Sequence, residues 1–314
     1  MSPGAPGAWD SSYHAPVLVD EVVELFRDAK TILDCTLGGG GHSAALLAIG
    51  ANVTAIDRDP AAIASARNRL AASEAAGRFR VILGNFAEAD RLLPDMQQKF
   101  DGILADLGVS SHQVDDDARG FSFRPGASLD MRMDSAGGAS AADLLNETDE
   151  QDLIRVLREY ADEPRARRLA REIVRRRENA RFETSDDLVR AIRGALGARS
   201  GPADFARIFQ GLRIAVNDEL GSVERAMPVL RGRLTQGGVL AVIAYHSGED
   251  RIVKHVLREW SRDCVCPPRQ LQCTCGARAL GSLVTRRAMR PSEAEVERNP
   301  RARSARLRAW RSAA

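Results

Sequence analysis

Four consecutive glycines, Gly38 to Gly41, separate an apolar stretch from a helix-like pattern in "TILDCTLGGGGHSAALL" (residues 31–47). Bare backbone at the start of a helix lets N–H groups and the positive helix end approach a polar or anionic ligand closely. Asp57 ends the next apolar stretch, and an acid at that point of a β-loop-α-β unit holds ribose hydroxyls. The spacing therefore predicts a site for a nucleotide-like ligand.

Two cofactors fit this pattern to different degrees. In the dinucleotide fingerprint G-x-G-x-x-G, Gly38 and Gly40 match the first two glycines, but Ser43 stands where the last one belongs. An acid after the first strand, here Asp34, followed by a crowded glycine loop and a ribose-binding acid, is also the arrangement of S-adenosylmethionine (SAM) enzymes. The spacing favours SAM over NAD, and a tight turn without any ligand stays open.

Further strand patterns must position the other candidate residues. They lie at 77–86, 100–111 and 237–247, and their alternation with helices predicts a parallel sheet whose carboxyl ends converge on one site. Phe86 ends one of them and either stacks on an adenine or fills core. Tyr245 and His246 end another and are candidates for substrate contact. Ser247 with Asp250 resembles a helix capping box, which would explain this segment without a substrate.

Strand patterns are missing between about residues 115 and 215, where arginine-rich segments carry apolar residues at helical spacing. We therefore predict an inserted all-helical domain over 115–215 and an α/β domain over 1–114 and 216–314. Asn217 and Arg213 share one helix face, where they could contact a base or phosphate or form a polar surface stripe.

Composition and cysteine usage indicate the compartment. The 314 residues are 44% hydrophobic and 28% charged, with a net charge of +2. Neither a signal peptide nor a membrane span is recognisable, so we expect a cytoplasmic protein without a membrane partner. Four of the five cysteines lie in "CVCPPRQLQCTCG" (264–276). Because the pairs are C-x-C and not the C-x₂-C usual for zinc, we predict a reduced loop without metal.

The motifs together resemble one family. "HAPVL", "DCTLGGGGHS", "AIDRDPAAI", "DGILADLGVSS", "RGFSF", "LDMRMD", "FQGLRIAVNDEL", "HSGEDRIVK" and "NPRARSARLR" occur in that order. They are similar to the signatures of the RsmH family, also called MraW, of ribosomal RNA small-subunit methyltransferases. The resemblance runs from His14 to about Arg308.

This resemblance implies a Rossmann-like class I SAM-dependent methyltransferase domain with an inserted helical domain for substrate recognition. It implies methylation of the exocyclic 4-amino group of a cytidine in the decoding region (P site) of 16S rRNA, within the assembled small subunit. A homodimer stays open. Matching the family's motifs assigns SAM contacts to Gly40, Gly41, His42, Asp57, Phe86, Asp106 and Gln113.

Asp106 is the candidate catalytic residue. The lone pair of a cytosine amine is conjugated with the ring, so a group that accepts its N–H and aligns the lone pair is needed. A carboxylate that only binds SAM is the alternative role. The arginines of residues 165–181 and of the tail are predicted to neutralise RNA phosphates.

Two other functions stay open. The chain could be a non-catalytic RNA-binding protein with a vestigial SAM site, or a SAM methyltransferase that acts on another RNA. The sequence departs from the family pattern at His112, Gly248 and residues 201–210, near the expected substrate-facing regions.

Overall fold

The computed structural model of the protein describes residues 9–10, 15–93, 95, 97–135, 137–267, 270, 272 and 274–313. The chain divides into two compact units, which we call the sheet unit (Met1–Gly108 and Leu220–Ala314) and the helical unit (Val109–Glu219). Of the helices in the described ranges, none combines the length and the apolar character that a bilayer span requires.

A seven-stranded sheet forms the centre of the sheet unit, in the order β3-β2-β1-β4-β5-β7-β6. β1 to β5 pair in parallel, and β7 is antiparallel to both its neighbours. This order confirms the predicted α/β class with a Rossmann-like sheet. The strands are β1 (Thr31–Asp34), β2 (Asn52–Asp57), β3 (Phe79–Leu83), β4 (Phe100–Asp106), β5 (Leu234–Ala244), β6 (Gly281–Leu283) and β7 (Arg306–Ser312).

Helices and buried side chains line both faces of this sheet. Successive strand residues point to opposite faces, so Ile32 and Leu104 belong to one core cluster while Leu33 and Ile103 belong to another. Both clusters are continued by helical side chains. The helices are α1 (Val19–Phe26), α2 (Gly41–Ala48), α3 (Pro60–Ala75), α4 (Ala89–Leu92), α11 (Glu219–Gly232), α12 (Ser247–Trp260) and α13 (Glu293–Arg298).

The order of the strands determines where a ligand site can form. β1 pairs with β2 on one side and with β4 on the other, so the strand order reverses between β1 and β4. In open α/β sheets, ligands bind outside the carboxyl ends of the strands at such a switch point. Asp34, Asp57 and Asp106 are the last residues of β1, β2 and β4.

The helical unit has a separate apolar core, made by side chains such as Leu157, Ile173 and Leu212. Within the predicted helical region, residues 140–160 form two helices, because Ser140 and Asp149 each cap a new helix with their side chains. The helices are α5 (Ser111–Asp115), α6 (Ala141–Glu147), α7 (Glu150–Glu159), α8 (Ala166–Arg177), α9 (Ser185–Leu196) and α10 (Pro202–Asn217).

The C-terminal segment is more ordered than a basic tail. Its arginines, within residues 299–311, are predicted to contact phosphates, which stays a prediction, and the chain from Arg306 forms β7 beside β5. Arg306 and Arg308 bond to the carboxylate of Asp250 at 3.0 and 2.7 Å. Apolar side chains alternate with these arginines, since Leu307 and Ala309 are buried. β7 is therefore an amphipathic strand, although its composition is basic.

We expect Arg308→Met to lower the free energy of unfolding by about 2 kcal/mol, since hydrogen bonds to charged groups contribute roughly that much. Burial raises the pKa of Asp250, but bonds from Arg308 and Arg306 outweigh it and hold the pKa below 3.8. This contribution is present above about pH 4 and is lost as pH falls through the lowered pKa. Urea unfolding at neutral pH measures it. Arg303→Met, at an exposed position, is the control, and equal effects of both variants would contradict the prediction.

Candidate active site

The glycine loop joins β1 to α2 through backbone that side chains would obstruct. Gly40, the N-cap of α2, has φ 72°. Gly38 has φ 51°, and the position that a Cβ on Gly38 would take is open space. A Cβ on Gly41 would lie 2.7 Å from Pro16, so the chain before α1 packs directly against the loop. The loop therefore places the N-terminus of α2, formed by buried glycines, at the carboxyl end of β1.

Asp57 is tied to this loop from the end of β2. Its Oδ2 accepts the N–H of Gly38 at 2.7 Å, and its Oδ1 accepts the N–H of Asp59 at 2.8 Å. Burial raises the pKa of Asp57 to about 6, although both backbone bonds act in the opposite direction. Each carboxylate oxygen has a further acceptor site, which suits it to receive two neighbouring hydroxyls of a ribose.

Asp34 is buried beneath the glycine loop. It is fully buried, and its Oδ2 accepts the Ser43 hydroxyl at 2.6 Å. Its Oδ1 accepts the N–H of Thr36 at 3.2 Å, and Thr36 Oγ1 accepts the N–H of Asp106 at 2.7 Å. Ser43, the departure from the dinucleotide fingerprint, thus ties α2 to β1. Thr36 was not singled out by sequence reasoning, because a threonine in a loop carries no distinctive signal.

Asp106 has the most unusual environment of these carboxylates. Among the described residues, its buried Oδ1 has no hydrogen-bond partner. Its Oδ2 lies 3.6 Å from Nδ1 of His42. Burial raises the pKa of Asp106 to about 6, while His42 and a hydrogen bond with Tyr245 act to lower it. A buried acceptor without a partner is costly unless a bound group satisfies it, so Oδ1 is suited to accept an N–H from a ligand.

His42 lies between the backbone of Val17 and the carboxyl group of Asp106. Its Nε2 lies 2.9 Å from the carbonyl oxygen of Val17, which only accepts, so Nε2 carries a hydrogen. Its Nδ1 lies 3.6 Å from Asp106 Oδ2, which is longer than a hydrogen bond. His42 is only 5% exposed, and its predicted contact with the cofactor stays a prediction.

Tyr245 packs beside Asp106 from the end of β5. Its hydroxyl and the Asp106 carboxyl are hydrogen-bonded, and burial raises the pKa of Tyr245 well above its ordinary value. A Cβ on Gly108 would lie 3.3 Å from the Tyr245 ring, so the chain after β4 passes closely over it. The structure thus brings Tyr245 and Asp106 together, as expected from strands that end at one edge.

His246 and Ser247 have different places from those predicted. The capping box of α12 is formed by His246 and Glu249, one residue before the predicted pair Ser247 and Asp250. Glu249 Oε2 accepts the N–H of Tyr245 at 2.9 Å, and its Oε1 lies 3.2 Å from His246 Nε2. The prediction was wrong because a histidine Nδ1 takes the acceptor role of the usual serine. His246 is therefore explained by helix capping, and a substrate contact stays a prediction.

Phe86 follows β3 at the start of a short 3₁₀ helix. The ring is half-buried and packs against the core cluster that contains Leu33 and Ile103. Both alternatives from the sequence thus keep a basis, since one part of the ring fills core while the rest is accessible. Adenine stacking stays a prediction.

Three further candidates lie in the helical unit. Gln113 forms a capping box with Ser110 at the start of α5, and its predicted SAM contact stays a prediction. Arg213 forms an ion pair with Glu219 at 2.8 Å. Asn217 was expected on a surface, yet it is 3% exposed and bonds to the backbone of Met131 and Met133. Its amide satisfies buried backbone groups of that loop, a contact that the periodicity of the sequence does not reveal.

The residues of the sheet unit fit a SAM-type ligand. Gly38 leaves open space at a helix start, Asp57 suits a ribose, and Asp106 presents a buried acceptor without a partner among the described residues. The first two would hold the cofactor, which supplies an electrophilic methyl group when bound. Asp106 is close enough to the loop to bind the substrate group that receives the methyl.

We expect Asp106→Asn to change the pH dependence of stability. The folded pKa of about 6 lies above the ordinary 3.8, so the contribution of this carboxyl to stability is complete below about pH 4 and is lost as pH rises through about 6. The variant avoids that loss, so relative to the unmodified protein it should be more stable at about pH 8 than at about pH 4.5. Urea unfolding at both pH values tests this, with the almost fully exposed Asp28 changed to asparagine as control. A pH-independent difference would contradict the prediction.

Comparison with known proteins gives a consistent result. A family model described as the MraW methylase family matches residues 11–313. "Ribosomal RNA small subunit methyltransferase H" of Gemmatimonas aurantiaca is 60% identical over 309 residues, which cover 98% of this chain and 98% of that protein. Proteins of the same name from Myxococcus xanthus and Heliobacterium modesticaldum are 47% and 44% identical, covering 94% and 95% of this chain and 96% and 97% of theirs.

Proposed function

The chain belongs to the MraW methylase family, and on that premise we propose that it methylates the exocyclic 4-amino group of one cytidine in the decoding region of 16S rRNA. The cofactor is S-adenosylmethionine, and the family and the names of its relatives support an rRNA methyltransferase of the small subunit. The choice of atom and nucleotide is the proposal. Asp106 Oδ1, a buried acceptor at the end of β4, is the observation that carries it.

Asp106 is suited to a poorly nucleophilic amine. An acceptor bonded to one N–H of the cytosine amine orients the nitrogen and draws its lone pair out of conjugation. Bound SAM would give its methyl group to the nitrogen and leave as S-adenosylhomocysteine, and Asp106 would accept the proton that the methylated nitrogen then loses. His42 and Tyr245 stabilise the ionised form of Asp106, since both lower its pKa. At neutral pH the carboxylate is therefore mainly ionised and ready to accept.

The helical unit offers a surface for the RNA backbone. A cleft of about 290 Å³ is lined by Arg175, Arg176, Arg181 and Arg190, with Asp187 among the other lining residues. Arg175, Arg181 and Arg190 are paired with carboxylates, but their side chains are 59 to 63% exposed. Exposed ion pairs contribute little to stability, so an RNA phosphate can compete for these arginines. We propose that this cleft contacts the RNA backbone.

Replacing Arg175, Arg181 and Arg190 together with alanine should weaken binding to small ribosomal subunits and make it less salt-dependent. Each lost phosphate contact lowers the slope of log K against log salt by about one. Filter binding at several salt concentrations measures both effects. The control replaces three exposed arginines of the sheet unit outside the C-terminal tail, Arg27, Arg67 and Arg262, and an equal loss there would contradict a specific cleft.

The proposed function can be tested in cells. The chain is expressed in a bacterium that lacks its own relative, and 16S rRNA is digested to nucleosides and analysed by mass spectrometry. Restoration of N4-methylated cytidine at one position is the expected result. Methylation at a different atom would mean a SAM methyltransferase acting elsewhere on RNA. Tight RNA binding without any methylation would favour a non-catalytic RNA-binding protein.

A further inference from the structure

Three of the described cysteines lie close together in the segment between α12 and β6. The ends of the segment are joined, because the N–H of Leu280 donates to the carbonyl of Trp260 at 2.7 Å and that of Ala279 to Asp263 at 3.3 Å. This closure brings Cys264 and Cys266, near the start of the segment, back to Cys275, near its end. Their three sulfur atoms all lie within 4.8 Å of one another.

The sulfur geometry is close to that of a tetrahedral thiolate site. Two thiolates bound to one zinc ion at Zn–S distances of about 2.3 Å are about 3.8 Å apart. Cys264 Sγ and Cys275 Sγ are separated by 3.7 Å. A disulfide requires an S–S distance of about 2.05 Å, so the observed spacing matches a shared metal better than a bond.

Backbone N–H groups also point at these sulfurs. Val265 N lies 3.4 Å from Cys275 Sγ, and Cys266 N lies 3.4 Å from Cys264 Sγ. Hydrogen bonds of this kind orient metal ligands and compensate the negative charge of thiolates. One C-x-C pair alone has unfavourable spacing for zinc. In the structure, however, Cys275 lies together with Cys264 and Cys266.

We propose that Cys264, Cys266 and Cys275 bind one zinc ion that fixes the segment between α12 and β6. Thiolates are soft ligands that select zinc among the common divalent ions, and each binding thiol releases its proton. Cys273 lies outside the described residues, so the site is assigned to the three described thiols. Cys35, the cysteine beside the candidate active site, takes no part in this site.

Metal content tests this proposal without reference to activity. The untagged full chain is purified under reducing conditions, passed through gel filtration and analysed by mass spectrometry for metals. We expect about one zinc per chain, falling below about a tenth in the double variant C264S/C275S. The matched control is Cys35→Ala, because Cys35 is a buried cysteine outside the cluster and its replacement should leave the zinc content unchanged.

A second measurement distinguishes a lost site from a lost fold. The metal-free chain is titrated with Co²⁺, and the absorption bands of tetrahedral thiolate-bound cobalt should appear in the unmodified protein and in Cys35→Ala but not in C264S/C275S. Circular dichroism verifies that all three are folded. A zinc-free protein without cobalt bands, or a Cys264–Cys275 disulfide found in the unreduced protein, would overturn the proposal.

Discussion

Replacing Asp106 with asparagine should reduce methyl transfer at saturating SAM and RNA by about 10²- to 10⁴-fold, the usual contribution of a positioned acid or base. Asparagine has nearly the same shape, but its amide is a far weaker proton acceptor. The side chain can still receive a hydrogen bond, yet it cannot take the proton that the nitrogen loses. The loss should therefore lie in kcat, with little change in the Kd for SAM.

Single-turnover kinetics and calorimetry of SAM binding separate the two roles of Asp106. Asp28→Asn, a change of the same chemistry at an almost fully exposed position, is the control and should retain full activity. If Asp106→Asn weakens SAM binding in proportion to its loss of rate, Asp106 serves only the cofactor. The base role would then be wrong.

Replacing Asp57 with alanine should weaken SAM binding by about 10- to 100-fold, the size of one or two hydrogen bonds to a charged group. The variant removes the proposed ribose acceptor and releases Gly38, whose N–H Asp57 now accepts at 2.7 Å. The loss should appear as a raised KM for SAM, with kcat largely recovered at saturation. This is the opposite distribution to that of Asp106→Asn.

Calorimetric titration with SAM measures the Asp57 effect directly. Asp28→Ala is the matched control. A variant that binds SAM normally but turns over slowly would contradict the assignment, because Asp57 would then act on the reaction and not on the cofactor. Thermal unfolding of the free proteins shows whether the loop change has damaged the fold.

The sequence predicted the first five strands because their apolar runs are long and are bounded by glycine, proline or charged residues. It did not predict β7, because the alternating arginines of this strand read as a charged segment. In the structure, Arg306 and Arg308 pair with Asp250. α1 also went unnoticed, although its Phe26 is buried in the sheet core. Short elements such as these depend on tertiary partners that the periodicity of the sequence does not contain.

The candidate site was predicted unevenly for similar reasons. Glycine loops and acids at strand ends have strong local signals, so Gly40 and Asp57 could be selected from the sequence pattern, whereas Asp106 was assigned through the family resemblance. The Thr36 bond to Asp106 depends on the pairing of β1 and β4, and the burial of Asn217 depends on a loop distant in sequence. Such contacts join residues that are distant in sequence and become neighbours only in the folded chain.

The central claim is methyl transfer from SAM to a cytidine amine in 16S rRNA. Purified protein is incubated with methyl-labelled SAM and small subunits that lack the modification, with naked 16S rRNA in parallel, and the digested nucleosides are analysed by mass spectrometry. We expect label in N4-methylcytidine from the subunits and little from naked RNA. Bound SAM with no label in N4-methylcytidine from either substrate would contradict it.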